Sequence, residues 1–297
     1  MPLQRPDWLN KKIDLAEYDR MRIRLKPFAL HTVCEEARCP NISECFSKGT
    51  ATFLIGGDIC SRACRFCGVT KGTPSALDAD EATRVANAVL DLDLTYAVIT
   101  GVTRDDLADK GAGHYADTVR LIKAASAGSA TENRKKREIK VEVLTPDFDG
   151  IRAFVKKVVD AKPDVFAHNI ETVQRLYPLL GRDEYRYDVS LSTLETVKSL
   201  HKGAVTKSAI MAGLGETEEE LFEAMENLVD VGCDYLSIGQ YLAPSNDHHP
   251  VQEYKDPAFF ERMKQAALDM GIKDVKSGPY VRSSYLAHEY RRDVPGE

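Results

Sequence analysis

The residues best suited to chemistry in this sequence are its cysteines. The chain of 297 residues has seven, and six of them form two groups of three between positions 34 and 67. Cysteines that only fill a core would be scattered along the chain, so this clustering indicates metal binding. Their odd number, together with the absence of an export signal, is typical of a reducing compartment, where thiols stay free to bind metal.

The second group, Cys60, Cys64 and Cys67, has the spacing C-x3-C-x2-C, with Phe66 directly before the last cysteine. Three thiolates in one tight loop can hold three irons of a four-iron cluster, which leaves the fourth iron without a protein ligand. A small molecule could chelate that open iron and be cleaved by an electron from the cluster. Two alternatives stay open: a zinc site closed by a distant fourth residue, and an electron-transfer cluster with four protein ligands.

The first group, Cys34, Cys39 and Cys45, has the spacing C-x4-C-x5-C and also falls one ligand short of a complete set for a four-iron cluster. Two serines, Ser283 and Ser284, stand near the other end of the chain in an Arg-Ser-Ser-Tyr run. An alkoxide binds iron less firmly than a thiolate, so a serine ligand would suit a cluster that is to be dismantled. The ordinary interpretation of these serines is a helix or turn cap.

The elements that must position these groups alternate between strand and helix. After Asp149, apolar residues recur with helical spacing from Ile151 to Val159, and Thr217 followed by Glu220 resembles a capping box that opens another helix. Six such alternations predict a parallel α/β fold, either a partial barrel or an open doubly wound sheet. No Gly-x-Gly-x-x-Gly follows the first strand, which disfavours a dinucleotide-binding fold. The six predicted strands are Thr52–Ile55, Tyr96–Thr100, Ile139–Leu144, Val165–His168, Ser208–Met211 and Tyr235–Ile238.

Ligands of such folds bind where the parallel strands end. Polar residues stand at these positions, although polar strand ends also begin ordinary loops. The set comprises Asp58, Thr100, Arg104, Asp105, Asp106, Glu142, Thr145, His168, Asn169, Glu171, Glu216, Thr217, Gln240 and Tyr241.

Composition excludes several function classes. A hydrophobic fraction of 43% with 29% charged residues is ordinary for a soluble globular protein. A net charge of −6 argues against nucleic acid as the main partner. No apolar run approaches the roughly 18 to 20 residues that cross a bilayer, so we expect no membrane association and a cytoplasmic protein.

The run from Cys60 to Cys67, with its aromatic residue, resembles the cofactor-binding motif of the radical S-adenosylmethionine (SAM) superfamily. The resemblance implies a partial barrel of six β/α units in which SAM chelates the open iron of a [4Fe-4S] cluster. Reductive cleavage of SAM would then give a 5′-deoxyadenosyl radical. Strand-end residues Arg104, Glu142, Asn169 and Glu171 are the expected SAM contacts.

The N-terminal cysteine group together with Arg282-Ser283-Ser284-Tyr285 resembles the lipoyl synthase family, and the likeness extends over the whole chain. Further matching segments are Arg5–Leu9, Thr103–Leu107, Leu144–Phe148, His168–Val173, Gly213–Thr217 and Gly239–Leu242. The resemblance implies a second [4Fe-4S] cluster held by Cys34, Cys39, Cys45 and Ser284, with Ser283 as the alternative. The implied reaction adds two sulfur atoms, taken from that cluster, at C6 and C8 of an octanoyl chain linked to a lysine.

The family also implies partners and a domain plan. The carriers would be octanoylated lipoyl domains of 2-oxoacid dehydrogenase E2 subunits and the glycine cleavage H protein. A flavodoxin or ferredoxin would supply electrons, and an iron–sulfur carrier would rebuild the spent cluster. We expect an N-terminal extension over residues 1–50, a barrel over 51–275 and a C-terminal segment over 276–297, with both extensions covering the barrel mouth.

Other functions remain possible at this stage. Within the same class, a biotin-synthase-like or methylthiolating enzyme also inserts sulfur, but it lacks this pairing of cysteine group and terminal serines. From other classes, an electron carrier or iron–sulfur scaffold would not cleave SAM, and a zinc-stabilised binding module would be colourless.

Overall fold

A computed structural model describes the backbone of most of the chain. It covers residues 4–10, 15–36, 39, 41, 44–45, 50–128, 138–183 and 186–290, without the side chains at positions 15, 17, 18, 21, 34 and 50. The strands are β1 (His31–Thr32), β2 (Thr50–Ile55), β3 (Ile59–Cys60), β4 (Thr70–Lys71), β5 (Tyr96–Gly101), β6 (Lys140–Leu144), β7 (Val165–Ala167), β8 (Thr206–Ala212), β9 (Tyr235–Gln240) and β10 (Asp274–Gly278). The helices are α1 (Leu15–Leu25), α2 (Val33–Glu36), α3 (Glu81–Asp91), α4 (Ala112–Gly128), α5 (Arg152–Val159), α6 (Arg186–Leu200), α7 (Glu218–Asp230) and α8 (Pro257–Asp269).

Within the described residues, eight of the strands form one sheet in the order β1-β2-β5-β6-β7-β8-β9-β10. The pairs from β2 to β10 are parallel, and β1 pairs antiparallel with β2 at one edge. The six predicted strands are all present, as β2 and β5 to β9, and the partial barrel is the correct alternative. Strand β10 was not predicted, because its sequence Asp-Val-Lys-Ser-Gly contains a single apolar residue.

Successive side chains of each strand face opposite sides of the sheet, and the two sides differ in chemistry. Outward residues such as Phe53, Ile99 and Val143 belong to a core cluster with the helices. Inward neighbours such as Thr100 and Leu144 line a cavity instead. The hydrophobic core of this barrel therefore lies between sheet and helices, which leaves the concave face free for polar groups.

Two helices test the predicted periodicity. In α5, Val155 and Val158 are buried as the helical spacing predicts, whereas Ile151, expected to belong to the same helix, precedes it and is 40% exposed. Helix α7 begins with the predicted capping box, in which Thr217 and Glu220 each accept a backbone N–H of the other. None of the helices in the described ranges is long and apolar enough to span a membrane.

After β10 the chain turns back and enters the concave side of the sheet; we call residues 279–290 the tail. A Cβ atom at Gly239 would lie 2.0 Å from the carbonyl oxygen of Val281, so only glycine lets the tail cross β9 there. Tyr290 is buried, and Ala287 packs on Tyr96 and Val98 of β5. The tail therefore lies inside the barrel and runs from the mouth towards the end where the strands begin.

Candidate active site

A cavity of about 680 Å³ opens where the parallel strands end. Its walls come from the loop after β3, from the ends of the central strands, from Cys39 near the N-terminus and from the tail. The residues important for chemistry in its lining are Cys39, Cys60, Cys64, Cys67, His168, Asn169, Glu171, Arg182, Ser283 and Ser284. The volume suits one or two small molecules.

Cys60, Cys64 and Cys67 lie on one tightly folded loop, which we call the cysteine loop (residues 60–67). Backbone hydrogen bonds hold it, from Cys67 N to Cys64 O at 3.2 Å and from Gly72 N to Cys60 O at 3.0 Å. The Thr103 amide donates to Cys60 Sγ at 3.4 Å. All three thiols are half-buried and reach the same cavity.

The charges of these thiols are coupled. Burial, with smaller contributions from the neighbouring Cys64 and Cys60, raises the pKa of Cys67 to about 11. Burial also raises the pKa of Cys64, with Glu171 and Cys60 adding to the effect while Arg182 opposes it. Without a bound cation, the loop therefore holds Cys64 and Cys67 protonated, and a metal must displace those protons.

Arg62 ties the cysteine loop to the ends of two strands. Its guanidinium donates two hydrogen bonds to Asp105, at 2.9 and 3.0 Å, and two to Asp147, at 2.7 and 2.8 Å. A further bond of 3.2 Å reaches Asp149. Since Asp105 follows β5 and Asp147 follows β6, the planar fork of one arginine fixes the loop to two adjacent strands.

Asp147 is the buried centre of this ion-pair cluster. Its side chain is inaccessible to solvent, and Arg186 and Arg182 approach its carboxylate at 3.1 and 3.9 Å in addition to Arg62. Burial alone would raise the pKa of Asp147, but the hydrogen bonds and charge of Arg62 lower it well below its usual range. The carboxylate therefore stays ionised and holds several cations at the cavity wall.

The adjoining wall is formed by the end of β7, which pairs with β6, and by the loop that follows it. Glu171 has a left-handed backbone, with φ of 67°, held by hydrogen bonds from its amide to Ala209 O and from the Met211 amide to its carbonyl. A non-glycine residue in this conformation costs on the order of 1 kcal/mol or more, and such strain is concentrated at functional sites. Burial raises the pKa of Glu171, against the charge of Arg182. Asn169 donates to Glu171 Oε1 at 3.3 Å.

His168 adds an unused hydrogen-bonding atom to this wall. Its Nδ1 lies 2.8 Å from Thr145 O, a contact in which Nδ1 must donate, so Nε2 is the free acceptor of a neutral ring. Nε2 is buried and has no partner among the described residues. Burial lowers the pKa of His168 to about 4, although Asp147 acts in the other direction. This atom can accept a hydrogen bond from a bound molecule.

Two of the expected SAM contacts have other partners. Arg104 is 3% exposed, and its guanidinium binds Asp106 and the carbonyl oxygens of Gly56 and Ser75. Glu142 is 1% exposed and pairs with Lys207 at 2.8 Å. Neither residue lines the cavity. The structure therefore places these two side chains in structural ion pairs, and Asn169 and Glu171 remain.

The structure describes the side chains of two of the three N-terminal cysteines. Cys39 lines the cavity and Cys45 is buried, whereas the side chain of Cys34 lies outside the described residues. Hydrogen bonds connect this region to the tail: Asn41 Nδ2 donates to Tyr280 O at 2.5 Å, and Tyr285 OH donates to Glu44 Oε1 at 3.0 Å.

The two tail serines differ in their contacts. Ser283 Oγ donates to Asn169 Oδ1 at 3.0 Å. Ser284 lines the same cavity, and its hydroxyl makes no hydrogen bond within the described part of the chain. Of the two serines, Ser284 is thus the one whose hydroxyl oxygen is uncommitted.

Comparison with known proteins decides the family. A model of the radical SAM superfamily matches residues 54–228, and a model of the N-terminal domain of lipoyl synthase matches residues 2–39. Lipoyl synthases from Caldicellulosiruptor bescii and Geobacter sulfurreducens are each 52% identical to this chain, over 98% of it and over 97% and 94% of their own lengths. This chain belongs to the lipoyl synthase family. It is therefore a sulfur-inserting radical SAM enzyme that uses SAM and [4Fe-4S] clusters.

Solved structures support the fold of this family member. Methylornithine synthase superposes with a TM-score of 0.55 at 13% identity, over 82% of this chain and 77% of its own. The FeFe-hydrogenase maturase HydG from Carboxydothermus hydrogenoformans gives a TM-score of 0.57 at 14% identity, over 88% and 65%. At these identities the likeness concerns the fold alone, and it confirms the predicted radical SAM partial barrel.

The donor set of this lipoyl synthase family member fits an iron–sulfur cluster better than a single ion. Three thiols line one cavity, and Cys60 and Cys64 both raise the pKa of Cys67. In the described part of the chain, however, no three His, Cys, Asp or Glu side chains converge on one point where an ion could be held. The family assignment, whose members use [4Fe-4S] clusters, disfavours the zinc alternative.

Sequence reasoning missed three residues of this site. Arg62 lies between two cysteines, but its carboxylate partners are far away in sequence. Arg182 follows a glycine in an unremarkable loop, yet its guanidinium lies 4.6 Å from the Tyr177 ring centre at the cavity wall. His168 stood in the set of polar strand ends without an assigned role. Only tertiary contacts distinguish these residues from surface charges.

The depressed pKa of His168 predicts a pH dependence of stability. An unfolded chain protonates histidine at about pH 6.5, so the folded protein resists that proton and loses stability as pH falls from about 6.5 towards 4. Between pH 7 and pH 5.5 we expect this group to cost about 1 kcal/mol of unfolding free energy. His168→Gln should show a correspondingly smaller drop in anaerobic thermal midpoint over that interval. Equal drops in both proteins would contradict the assignment.

The ion-pair cluster predicts that Arg62→Lys loosens the cysteine loop. Lysine keeps the charge but cannot form both bidentate pairs, so we expect iron release to a chelator to become about tenfold faster. The control is Arg175→Lys, which removes a bidentate pair with Glu220 on the surface, at 2.6 and 2.9 Å. Release rates that match the wild type in both variants would refute the role of Arg62.

Proposed function

We propose that this protein inserts sulfur at C6 and C8 of an octanoyl chain that is amide-linked to a lysine of a lipoyl carrier domain. The observation that carries the proposal is that one cavity is lined by the cysteine loop, by Cys39 and by Ser284. A site that activates a carbon and a site that supplies sulfur must reach the same stretch of acyl chain. A shared cavity satisfies that requirement.

The cysteine loop would hold one cluster through Cys60, Cys64 and Cys67. The second would be held by Cys34, Cys39, Cys45 and Ser284. When bound, the two clusters and SAM supply the electron, the hydrogen-abstracting radical and the sulfur. The chain's own contribution is to fix these groups around one cavity, through the Arg62 ion pairs on one side and the tail on the other.

The wall at β7 would bind SAM. The carboxylate of Glu171 suits the amino group of SAM, and the guanidinium of Arg182 suits its carboxylate. Asn169 and Nε2 of His168 can serve the ribose hydroxyls or the adenine amine. The unused acceptor on His168 and the strained backbone of Glu171 support this assignment.

The partners follow from the reaction. The acyl chain is attached to a protein, so a carrier must dock at the cavity mouth; lipoyl domains of E2 subunits and the H protein are the carriers we propose. A flavodoxin or ferredoxin would deliver electrons, and an iron–sulfur carrier would restore the consumed cluster. We therefore propose that the enzyme works in the cytoplasm, where such carriers and electron donors would have to meet it.

The proposal predicts different losses for the two cysteine groups. We would incubate reconstituted protein with dithionite, SAM and an octanoyl-lysine peptide, and measure peptide mass and 5′-deoxyadenosine. Cys60→Ala should abolish both products, while Cys34→Ala should still yield 5′-deoxyadenosine but add no sulfur. Cys233→Ala is the matched control, because this thiol lies in the core and donates to Tyr235 O. SAM cleavage with an unchanged peptide in the wild type would refute the substrate.

The two tail serines give a sharper comparison. Ser284→Ala should lose sulfur insertion and keep SAM cleavage, because only its hydroxyl is uncommitted. Ser283→Ala removes the bond to Asn169 and should keep most sulfur insertion. Peptide mass and 5′-deoxyadenosine are again the readouts. The reverse order of effects would assign the ligand to Ser283.

A further inference from the structure

The tail is anchored at its last described residue, Tyr290. The ring of Tyr290 stacks on Tyr235 with centres 5.0 Å apart and 25° between the planes. Its hydroxyl lies 2.6 Å from Ser237 Oγ. Tyr235 is the first residue of β9, so Tyr290 occupies the end of the barrel where the strands begin, which we call the lower end. Tyr290 is 7% exposed.

A buried ion pair lies beside this ring. Glu142 and Lys207 are 1% and 0% exposed and 2.8 Å apart, and Tyr96 OH donates to Glu142 at 2.7 Å. Lys207 Nζ lies 4.4 Å from the centre of the Tyr290 ring. A buried pair of this kind pays a desolvation cost that its own attraction often fails to recover. The ring of Tyr290 shields it from water and adds a cation–π contact.

A second cation holds the outer side of the tail. Lys276 of β10 pairs with Glu289 at 3.0 Å and lies 5.2 Å from the centre of the Tyr290 ring. Tyr290 thus has a lysine on β8 and another on β10, which restrict its ring from two strands.

The segment between Tyr290 and Ser284 is a continuous run of turns. The amide of Ala287 donates to Ser284 O at 3.3 Å, and that of Glu289 donates to Leu286 O at 3.0 Å. The Ser237 hydroxyl that meets Tyr290 also lies 3.5 Å from Ser283 O. Because these hydrogen-bonded turns connect the two residues directly, we expect a displacement at Tyr290 to move the backbone of Ser284.

We propose that Tyr290, docked against Tyr235 and the Glu142–Lys207 pair, is a positioning residue that sets where Ser284 stands in the cavity. This inference rests on the proposed role of Ser284 as a cluster ligand. In this view the Glu142–Lys207 pair anchors the tail. It affects sulfur insertion only indirectly, through Tyr290 and the turns that lead to Ser284.

The test compares Tyr290→Leu, Tyr290→Phe and Tyr187→Leu in the full chain with both clusters reconstituted. Leucine removes the ring and its cation–π contacts, so the ratio of inserted sulfur to 5′-deoxyadenosine should fall about tenfold while SAM cleavage persists. Phenylalanine keeps the ring and should restore most of the ratio. Tyr187 is also buried and makes an edge-to-face contact with Tyr177 in the outer core, so its leucine variant should lose stability but keep the ratio.

A spectroscopic readout separates position from general damage. In a background with Cys60, Cys64 and Cys67 changed to alanine, only the second cluster can form. Tyr290→Leu should alter the Mössbauer signal of its serine-bound iron, and Tyr187→Leu should not.

An unchanged ratio and spectrum in Tyr290→Leu, with Ser284→Ala inactive in sulfur insertion, would overturn this inference alone. An equal fall of the ratio in Tyr187→Leu would also overturn it, because the effect would then reflect stability. Normal sulfur insertion by Ser284→Ala would instead overturn the proposed ligand and with it the basis for Tyr290.

Discussion

The site depends on the ion pairs that the buried carboxylate of Asp147 makes with arginine side chains. This carboxylate is inaccessible to solvent, and its charge is balanced by three guanidinium groups, from Arg62, Arg182 and Arg186. One of these belongs to the cysteine loop, another lines the cavity and the third begins α6. A buried charge must keep its partners, because leaving it unpaired lowers the free energy of unfolding by roughly 3 to 5 kcal/mol. The cysteine loop, the cavity wall and helix α6 are therefore held together through the two carboxylate oxygens of Asp147.

The second constraint is the alternation of side chains along parallel strands. Outward residues form the core with the helices, so the barrel does not need its concave face for stability. That face is divided along its length. Its lower end is filled by Tyr290 and the Glu142–Lys207 pair, and its upper end stays open as the cavity. Filling the lower end with the tail gives the cavity a floor and places two serines above it.

Much of this arrangement could be predicted from the sequence. Strands rich in β-branched residues and the helical spacing after Asp149 are local signals, and they identified six strands and the α/β class. The spacing of Cys60, Cys64 and Cys67 is also local, so the cysteine loop was found directly. Strand β10 was not found, because it gains its place from pairing with β9 and not from its own composition. The tail path depends on Gly239, whose role appears only when Val281 crosses it.

Charged residues near strand ends were the hardest to assign, and their height along the strand explains why. Glu142 lies in the middle of β6 with its side chain inward, where Lys207 and Tyr96 meet it. Asn169 and Glu171 follow β7, and residues past the strand end reach the cavity. A sequence shows that a charged residue is near the end of a strand. It does not show whether the side chain lies below that end, inside the barrel, or above it, in the cavity. In the register of β6 and β7, Glu142 is level with Val165, four residues below Asn169, and this difference in height separates the barrel interior from the cavity.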